Sequence, residues 1–490
     1  MKYVLALDQS TSATKAILYD VAGKLIDKVS KDHQQCYPQP GWVEHNAEEI
    51  WQNVLHVISS LVEKNSDLIT DTVCLSITNQ RETFLVFDKE TGKPLYNAIV
   101  WQCRRGDEIC ANLSKEGHDD LIRKKTGLKI DTYFSASKLK WLIQNQPNIK
   151  QKLLNGEALI GTIDTYLIYR LTKGKVFTTD YTNASRTLLY DIQSLKWSEK
   201  LCELFEVPLQ ALPEVLESSA QFGETSLSNL SLPICGVIGD SQASLFAQRC
   251  YSEGMAKITF GTGSSLLLNI GEQLNYTESG AVSTIGWVHD KKPAYAFEGI
   301  ISYAAATISW LQNQLGLIND PKETEAIALS IKDNGGVYLV PAFAGLSAPY
   351  WNSSAKAAIF GMTAYSTRDH IVRAALESIS YQIRDILDMM KKDAGVDLKR
   401  VYCDGGPTTN SFIMQFTADI TGLELYVANT FELSPMGAAL FGALGMKIYS
   451  SLEELAKLPS DFKIYRPEMP QEQVQKNYDG WLNAVERLIR

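Results

Sequence analysis

The sequence of 490 residues predicts an α/β protein of two similar domains facing each other across a cleft. Two observations carry this reading. Val4–Tyr19 and Met255–Ile270 have the same form: an apolar strand, a short loop of Ser, Thr or Gly, and a second apolar strand. A supersecondary unit repeated half a chain apart points to duplicated domains, each offering one loop to a shared ligand. Apolar strands also alternate with amphipathic helices through both halves, the pattern of an α/β layer architecture. The expected domains are residues 1–250 and 251–490, with a hinge at Tyr251-Ser252-Glu253-Gly254.

Taken in order, residues 3–8 and 14–19 read as strands around Gln9-Ser10-Thr11-Ser12-Ala13, and Leu25–Val29 as a third strand. Ser10, Thr11, Ser12 and Thr14 put hydroxyls at the hairpin tip, with Lys15 just beyond. Such groups suit phosphate oxygens, or form an ordinary polar turn. Asn46–Leu61 carries Ile50, Trp51, Val54, Leu55 and Ile58 at helical spacing. Val73–Ile77 reads as a strand running into Thr78-Asn79-Gln80-Arg81-Glu82-Thr83. Ligand groups gather at the carboxyl ends of strands in α/β folds. Arg81 and Glu82 are therefore either partners for substrate hydroxyls or a plain ion pair.

Phe84–Asp88 and Ala98–Trp101 continue as strands, and residues 106–160 read as mostly helical with a break at Asp131-Thr132-Tyr133-Phe134. Tyr166–Leu171 is an apolar helix and Asp180–Arg186 a polar connector. An apolar run ends at Ile238-Gly239-Asp240, whose carboxylate is a candidate base or a helix cap. The strand Ile258-Thr259-Phe260 breaks at Gly261-Thr262-Gly263 and resumes after Ser264-Ser265. Glycines there let backbone N–H groups approach an anion. Further on come a strand at Ala294–Glu298, a helix at Tyr303–Leu315, a strand at Val337–Ala342 and a Gly/Ser/Pro-rich loop over 345–351. Arg368–Lys392 carries one apolar stripe and ends near Gly395. Val401–Asp404 runs into Gly405-Gly406-Pro407 and a helix at Ser411–Ile420, an anion site or an ordinary turn. Gly437–Gly445 reads as a closely packed helix.

Composition narrows the function classes. At 45% hydrophobic and 21% charged residues the chain is an ordinary globular protein, and its net charge of -9 speaks against nucleic acid as a partner. No apolar run approaches the roughly 18 residues of a membrane span, so no stable membrane association is expected. The start, Met1–Asp8, turns acidic too soon for a signal peptide. Eight cysteines form no C-x-x-C pair and six histidines show no metal-ligand spacing. They fit reduced thiols in a cytoplasmic protein. Neither a Walker A lysine motif nor an H-R-D catalytic loop is present.

Asp8-Gln9-Ser10-Thr11, Thr78–Thr83, Val100-Trp101-Gln102-Cys103-Arg104-Arg105, Asp180–Thr187, Gly239-Asp240, Gly261-Thr262-Gly263 and Asp404-Gly405-Gly406 together resemble the motifs of the FGGY carbohydrate kinases, nearest to their glycerol kinase branch. The resemblance runs in order from about residue 3 to residue 485. It implies two actin-like domains of the ribonuclease H type, with ATP, Mg²⁺ and a small polyol or sugar between them. It implies Asp240 as the base that takes the proton of the attacking hydroxyl. Arg81, Glu82 and Tyr133 would hold substrate hydroxyls, Trp101 would cover the carbon face, and Ser241 and Ser265 would line the same pocket. Asp8 would sit near the metal. Thr11 and Thr262 would touch phosphates, with Ser12, Lys15, Gly261, Ala305, Ser309, Gly406 and Asn410 on the nucleotide side. Homodimers or homotetramers are the family's assemblies.

The chain also departs from the glycerol kinase pattern. Ser241 stands where Gln is usual, Ser265 where Phe is usual, Lys15 for Arg, Ser309 for Gln and Ala13 for Ser. Glu432-Leu433-Ser434-Pro435-Met436-Gly437 replaces Glu-Thr-Thr-Ala-Leu-Gly. The first two changes leave a longer polyol or ketose (erythritol, threitol, ribulose or xylulose) beside glycerol as substrate. A non-catalytic sugar sensor and a chaperone-type actin-fold ATPase are the readings from other classes. Asp8 and Asp240 speak against the former, and Gln80-Arg81-Glu82 with Trp101 against the latter.

Overall fold

Two sheets of the same topology frame the molecule. The computed structural model describes residues 2–227, 230–277, 279–346, 348–352, 354–430 and 432–490, so residue 347 of the expected 345–351 loop lies outside the described residues. The first sheet runs Gln221–Leu227, Leu230–Gly239, Thr72–Asn79, Tyr3–Gln9, Ala13–Asp20, Leu25–Asp32. The second runs Phe462–Tyr465, Glu424–Ala428, Arg400–Asp404, Ala256–Phe260, Ser264–Gly271, Lys292–Ile301, Val282–His289. Each opens with three neighbouring antiparallel strands, a meander in the first sheet and one interrupted by Val282–His289 in the second. Two later strands then add in parallel beside the first strand of the meander, and an antiparallel strand closes that edge. The second sheet carries one extra edge strand, Val282–His289. The short repeat read from the sequence is thus the visible part of a whole-sheet duplication.

Tyr3–Gln9 is buried along its whole length, which is why it reads as a continuous apolar run. The period of two still divides its faces. Tyr3, Leu5 and Leu7 join Ala16 and Leu18 in the core that includes Ile50, Trp51 and Val54 of the helix Ala47–Lys64. Val4 and Ala6 join Ile17 and Tyr19 against Ala439 and Ala443 of the helix Leu433–Gly445. The Ala47–Lys64 helix starts where expected because the Asn46 side chain accepts from the N–H groups of Glu48 and Glu49.

Leu433–Gly445 comes from the second half of the chain yet lies on the first sheet, beside the helix Asp240–Ala247. Its small residues permit this. A Cβ on Gly437 would stand 2.0 Å from the Ala243 carbonyl oxygen, and one on Gly442 2.2 Å from Ser76 Oγ. Some expected elements are shorter. The strand after Asp88 is only Ala98–Ile99, because the Trp101 N–H turns away to donate to Thr83 Oγ1 at 3.2 Å. The helix expected at 303–315 is Ala305–Asn313, its first residues being taken up by the loop that packs on Gly261 and Thr262. No described helix is long and apolar enough to cross a membrane.

Gly437→Ala tests the close packing. Alanine gains about 1 kcal/mol of helix propensity over glycine, whereas overpacking costs about 1–3 kcal/mol. The obstacle is a backbone carbonyl that cannot rotate away, so urea unfolding is expected to show a net loss of about 1–2 kcal/mol. Unchanged stability would mean the two helices are not in backbone contact.

Candidate active site

The site begins at a row of strand ends. Gln9, Asn79 and Gly239 lie side by side in register at the carboxyl edge of the first sheet. The chain leaves that edge as the Ser10–Ala13 tip, as Gln80-Arg81-Glu82, and as Asp240. Thr259 and Asp404 are paired at the matching edge of the second sheet. The edges meet: Ser244 Oγ donates to Asp404 Oδ2 at 2.7 Å, and the Ser241 and Ser265 hydroxyls are 3.5 Å apart.

Between them lies a cluster of buried charge. Arg81 Nη2 donates to Glu298 Oε1 at 2.8 Å and Nη1 to Gln242 Oε1 at 3.2 Å, while Nε stands 3.2 Å from Asp240 Oδ1. Arg186 Nε donates to Glu82 Oε1 at 2.6 Å, and its Nη1 lies 2.5 Å from Glu298 Oε2. Burial pushes Glu298 up, but Arg186 and Arg81 outweigh it and hold the carboxyl down at about 2. At Glu82 burial prevails over the same two guanidiniums, and the carboxyl is raised. Glu82 sits at φ 59, a left-handed backbone that turns the chain sharply after Arg81. The Asp240 side chain is 39% exposed, whereas those of Glu82 and Glu298 are 2% and 0%.

Beside this cluster stand Trp101 and Tyr133, ring centroids 5.2 Å apart. Trp101 Nε1 donates to Thr11 Oγ1 at 3.1 Å, so the hairpin tip and the aromatic wall are joined. Ser12 is exposed on that tip. Deeper in the same hairpin, Lys15 Nζ lies 2.8 Å from Glu432 Oε2 and 3.5 Å from Asp8 Oδ2, and Lys28 Nζ 3.0 Å from Glu432 Oε1. Burial, opposed by Lys15 and reinforced by Glu432 and Asp240, raises Asp8 to about 6.

On the second sheet, Gly261-Thr262-Gly263 forms a tight loop, the Gly261 N–H donating to the Gly263 carbonyl at 2.8 Å. Its carbonyls accept from Ala304, Ala305 and Ala306, which seats the start of the Ala305–Asn313 helix beside the loop. Gly406 has open space where a side chain would be. The remaining two expected nucleotide residues have local partners. Ser309 Oγ donates to the Ala305 carbonyl at 3.3 Å, and Asn410 caps the helix Ser411–Thr421 while donating to Thr324 Oγ1 at 3.2 Å.

Arg186, Glu298, Gln242 and Glu432 also belong to these clusters, although the sequence does not mark them as site residues. A signal existed for Glu298, a lone carboxylate ending the apolar run Ala294-Tyr295-Ala296-Phe297. Arg186 lies in the polar connector, which works as a support beneath the site. Asn183 and Asn79 exchange amide hydrogen bonds at 2.9 and 3.1 Å, and Thr182 Oγ1 accepts from the Gly239 N–H at 2.8 Å. Among the described residues, no three His, Cys, Asp or Glu side chains converge as a metal cage.

Residues 3–247 match the N-terminal domain of the FGGY family of carbohydrate kinases and residues 256–446 its C-terminal domain. The chain is 47% identical over 489 residues to glycerol kinase 1 of Thermotoga maritima, across 99% of each protein. It is 46% identical over 491 residues to the glycerol kinase of Caldanaerobacter subterraneus, across 100% of this chain and 99% of that one. Among solved structures, the glycerol kinase of Plasmodium falciparum with ADP superposes with a TM-score of 0.95 at 41% identity, covering 100% of this chain and 99% of that one. The xylulose kinase of Lactobacillus acidophilus, at 20% identity and TM-score 0.89, shares the fold over 100% of this chain and 98% of that one.

Glu298→Gln is expected to destabilise the protein by about 3–5 kcal/mol at pH 7, since both arginines lose a charged partner while staying buried. The ionised Glu298 contributes stability that is full above the unfolded value of 4.5 and lost as pH falls toward about 2. Urea unfolding from pH 7 to 3 is expected to show the gap between wild type and variant narrowing below 4.5. A constant gap would mean that Glu298 is not held ionised by its arginines.

Proposed function

The chain belongs to the FGGY family of carbohydrate kinases, and on that premise we propose that it transfers the γ-phosphoryl group of ATP to a terminal hydroxyl of glycerol, giving glycerol 3-phosphate. The observation that carries the reading is the division among the carboxylates. Glu82 and Glu298 are buried and paired, while Asp240 is exposed at a strand end with one guanidinium beside it. A carboxylate placed so can accept the proton of an alcohol.

Phosphoryl transfer has a loose transition state, so the protein's part is positioning and charge neutralisation. Arg81 and Glu82 donate to and accept from the substrate hydroxyls, and Trp101 with Tyr133 covers its carbons. Asp240 orients the reacting hydroxyl and takes its proton as the new O–P bond forms and the bond to the departing ADP breaks. Thr11 and Thr262, at the tips of the two hairpins, supply hydrogen bonds to phosphate oxygens, with Gly406 leaving room for the nucleotide. Approach of the two sheet edges excludes water, the competing acceptor.

The residues fit Mg²⁺. Asp8 is 5% exposed, and the lysine nearest to it sits closer to Glu432. Mg²⁺ uses one or two carboxylates together with substrate phosphates rather than a protein cage. Asp8 would hold it, and when bound it neutralises phosphate charge. The free cysteines, most of them buried, suit a reducing cytoplasm.

Asp240→Asn is expected to lower kcat about 10²–10⁴-fold, the usual worth of a positioned base, with ATP binding retained. Near wild-type turnover would remove Asp240 from the mechanism.

A second reading concerns substrate size. The Ser241 and Ser265 hydroxyls lie 3.5 Å apart, and Ser265 Oγ is 3.4 Å from Glu298 Oε1. That pair presents hydroxyls rather than an apolar wall, and it can meet one further substrate hydroxyl. A site built for such a group discriminates against an analogue without it. On this reading kcat/KM for erythritol, threitol, ribulose or xylulose exceeds that for glycerol, and Ser241→Gln/Ser265→Phe reverses the order. Glycerol far ahead in both proteins would sink it.

A further inference from the structure

Lys138 lies in the helix Ser135–Asn145 and is completely buried. Its ammonium donates to three backbone carbonyls, those of Thr132 at 2.6 Å, Tyr133 at 3.2 Å and Trp101 at 3.3 Å. Burial lowers it to about 8, against weaker support from Cys103, Glu82, Asp131 and Cys110. An ammonium in such a place costs several kcal/mol of desolvation, and an apolar side chain of similar length would avoid that cost. What the ammonium provides is three donors converging on two separate segments of chain.

Those segments carry the two aromatic side chains of the pocket. Trp101 follows the short strand Ala98–Ile99, and Thr132-Tyr133 forms the break before the Lys138 helix. Neither segment has a strand partner at these residues to fix it. One turn earlier in the helix, Ser135 Oγ donates to the Glu82 carbonyl at 2.7 Å, where the backbone is left-handed. The start of this helix therefore grips the backbone of Glu82, Trp101 and Tyr133 together.

We propose that Lys138 is a positioning residue for the polyol: by holding the Trp101 and Tyr133 carbonyls on one ammonium, it sets the spacing of the aromatic walls and so the affinity for substrate. The inference rests on Trp101 and Tyr133 being the walls of the substrate pocket. Lys138 itself touches neither substrate nor nucleotide.

The test is Lys138→Met in the full chain, with Lys138→Gln as a gentler variant that keeps two donors. Lys140→Met serves as control, since the Lys140 ammonium donates to the Leu204 carbonyl at 2.9 Å on the far side of the same helix. Steady-state kinetics and calorimetric titration with glycerol are the readouts. Lys138→Met is expected to raise KM and Kd for glycerol roughly tenfold, the scale of one lost charge-assisted hydrogen bond. Lys138→Gln should fall between it and wild type, and KM for ATP should stay within about twofold of wild type in both. Should Lys138→Met not fold, the glycerol KM of Lys138→Gln decides alone. A lowered Tm with unchanged glycerol KM, or an equal rise for glycerol and ATP, overturns the inference and leaves the kinase reading standing. Absence of any polyol turnover or binding in the wild type overturns both.

Discussion

Two guanidiniums buried between carboxylates from both halves of the chain are the constraint on which the rest of the site depends. Arg81 and Arg186 both belong to the first half, and both reach Glu298 of the second. Taking such charges out of water is costly, and only mutual pairing repays it. The arrangement therefore ties the two sheet edges together at Glu298. It also buries Glu298 among the guanidiniums, sets Glu82 beside Arg186, and leaves Asp240 as the exposed carboxylate of the three. On the proposed reading, one set of ion pairs thus separates the buried carboxylates that shape the pocket, Glu82 also facing the substrate hydroxyls, from the exposed Asp240 that takes the proton.

The duplicated sheet explains how the halves come to present complementary edges. Each sheet delivers a hairpin tip and a parallel strand end to the same side. In the first half these ends carry Asp8, Arg81, Glu82 and Asp240. In the second they carry the Gly261–Gly263 loop and Gly405-Gly406, with little charge of their own apart from Asp404. On the proposed reading, polyol chemistry and nucleotide contact fall to different copies of one fold. The glycine-lined helix Leu433–Gly445 then ties the copies together, for it packs on the first sheet and begins at Glu432, the partner of Lys15 and Lys28.

Much of this was legible in the sequence. The repeat at 4–19 and 255–270 announced the duplication, because strands buried on both faces keep their apolar character whatever loop joins them. Arg81, Glu82, Asp240, Ser241 and Ser265 do meet, as expected of residues at strand ends. What stayed hidden depends on contacts between segments far apart in the chain. Arg186 reads as one charge in a polar connector, and nothing local says that it reaches Glu82 and Glu298. Lys138 is unmarked within the stretch 106–160 that reads as mostly helical, and only the fold turns it inward onto three carbonyls. Val282–His289 is likewise silent because Ser283, Thr284 and Gly286 interrupt its apolar run, and Phe462–Tyr465 because a four-residue edge strand carries little pattern.

The central claim is that the charge cluster couples the two halves, and the pair Arg186–Glu298 spans them most directly. A double-mutant cycle with Arg186→Met, Glu298→Met and the double variant, read by urea unfolding and by kcat/KM for phosphoryl transfer to glycerol, measures that coupling. The account predicts an interaction energy above about 1 kcal/mol in both readouts, with the double variant losing less than the sum of the two single ones. Additive losses would show that the two residues act independently, and the cluster would then not be what joins the halves of the site.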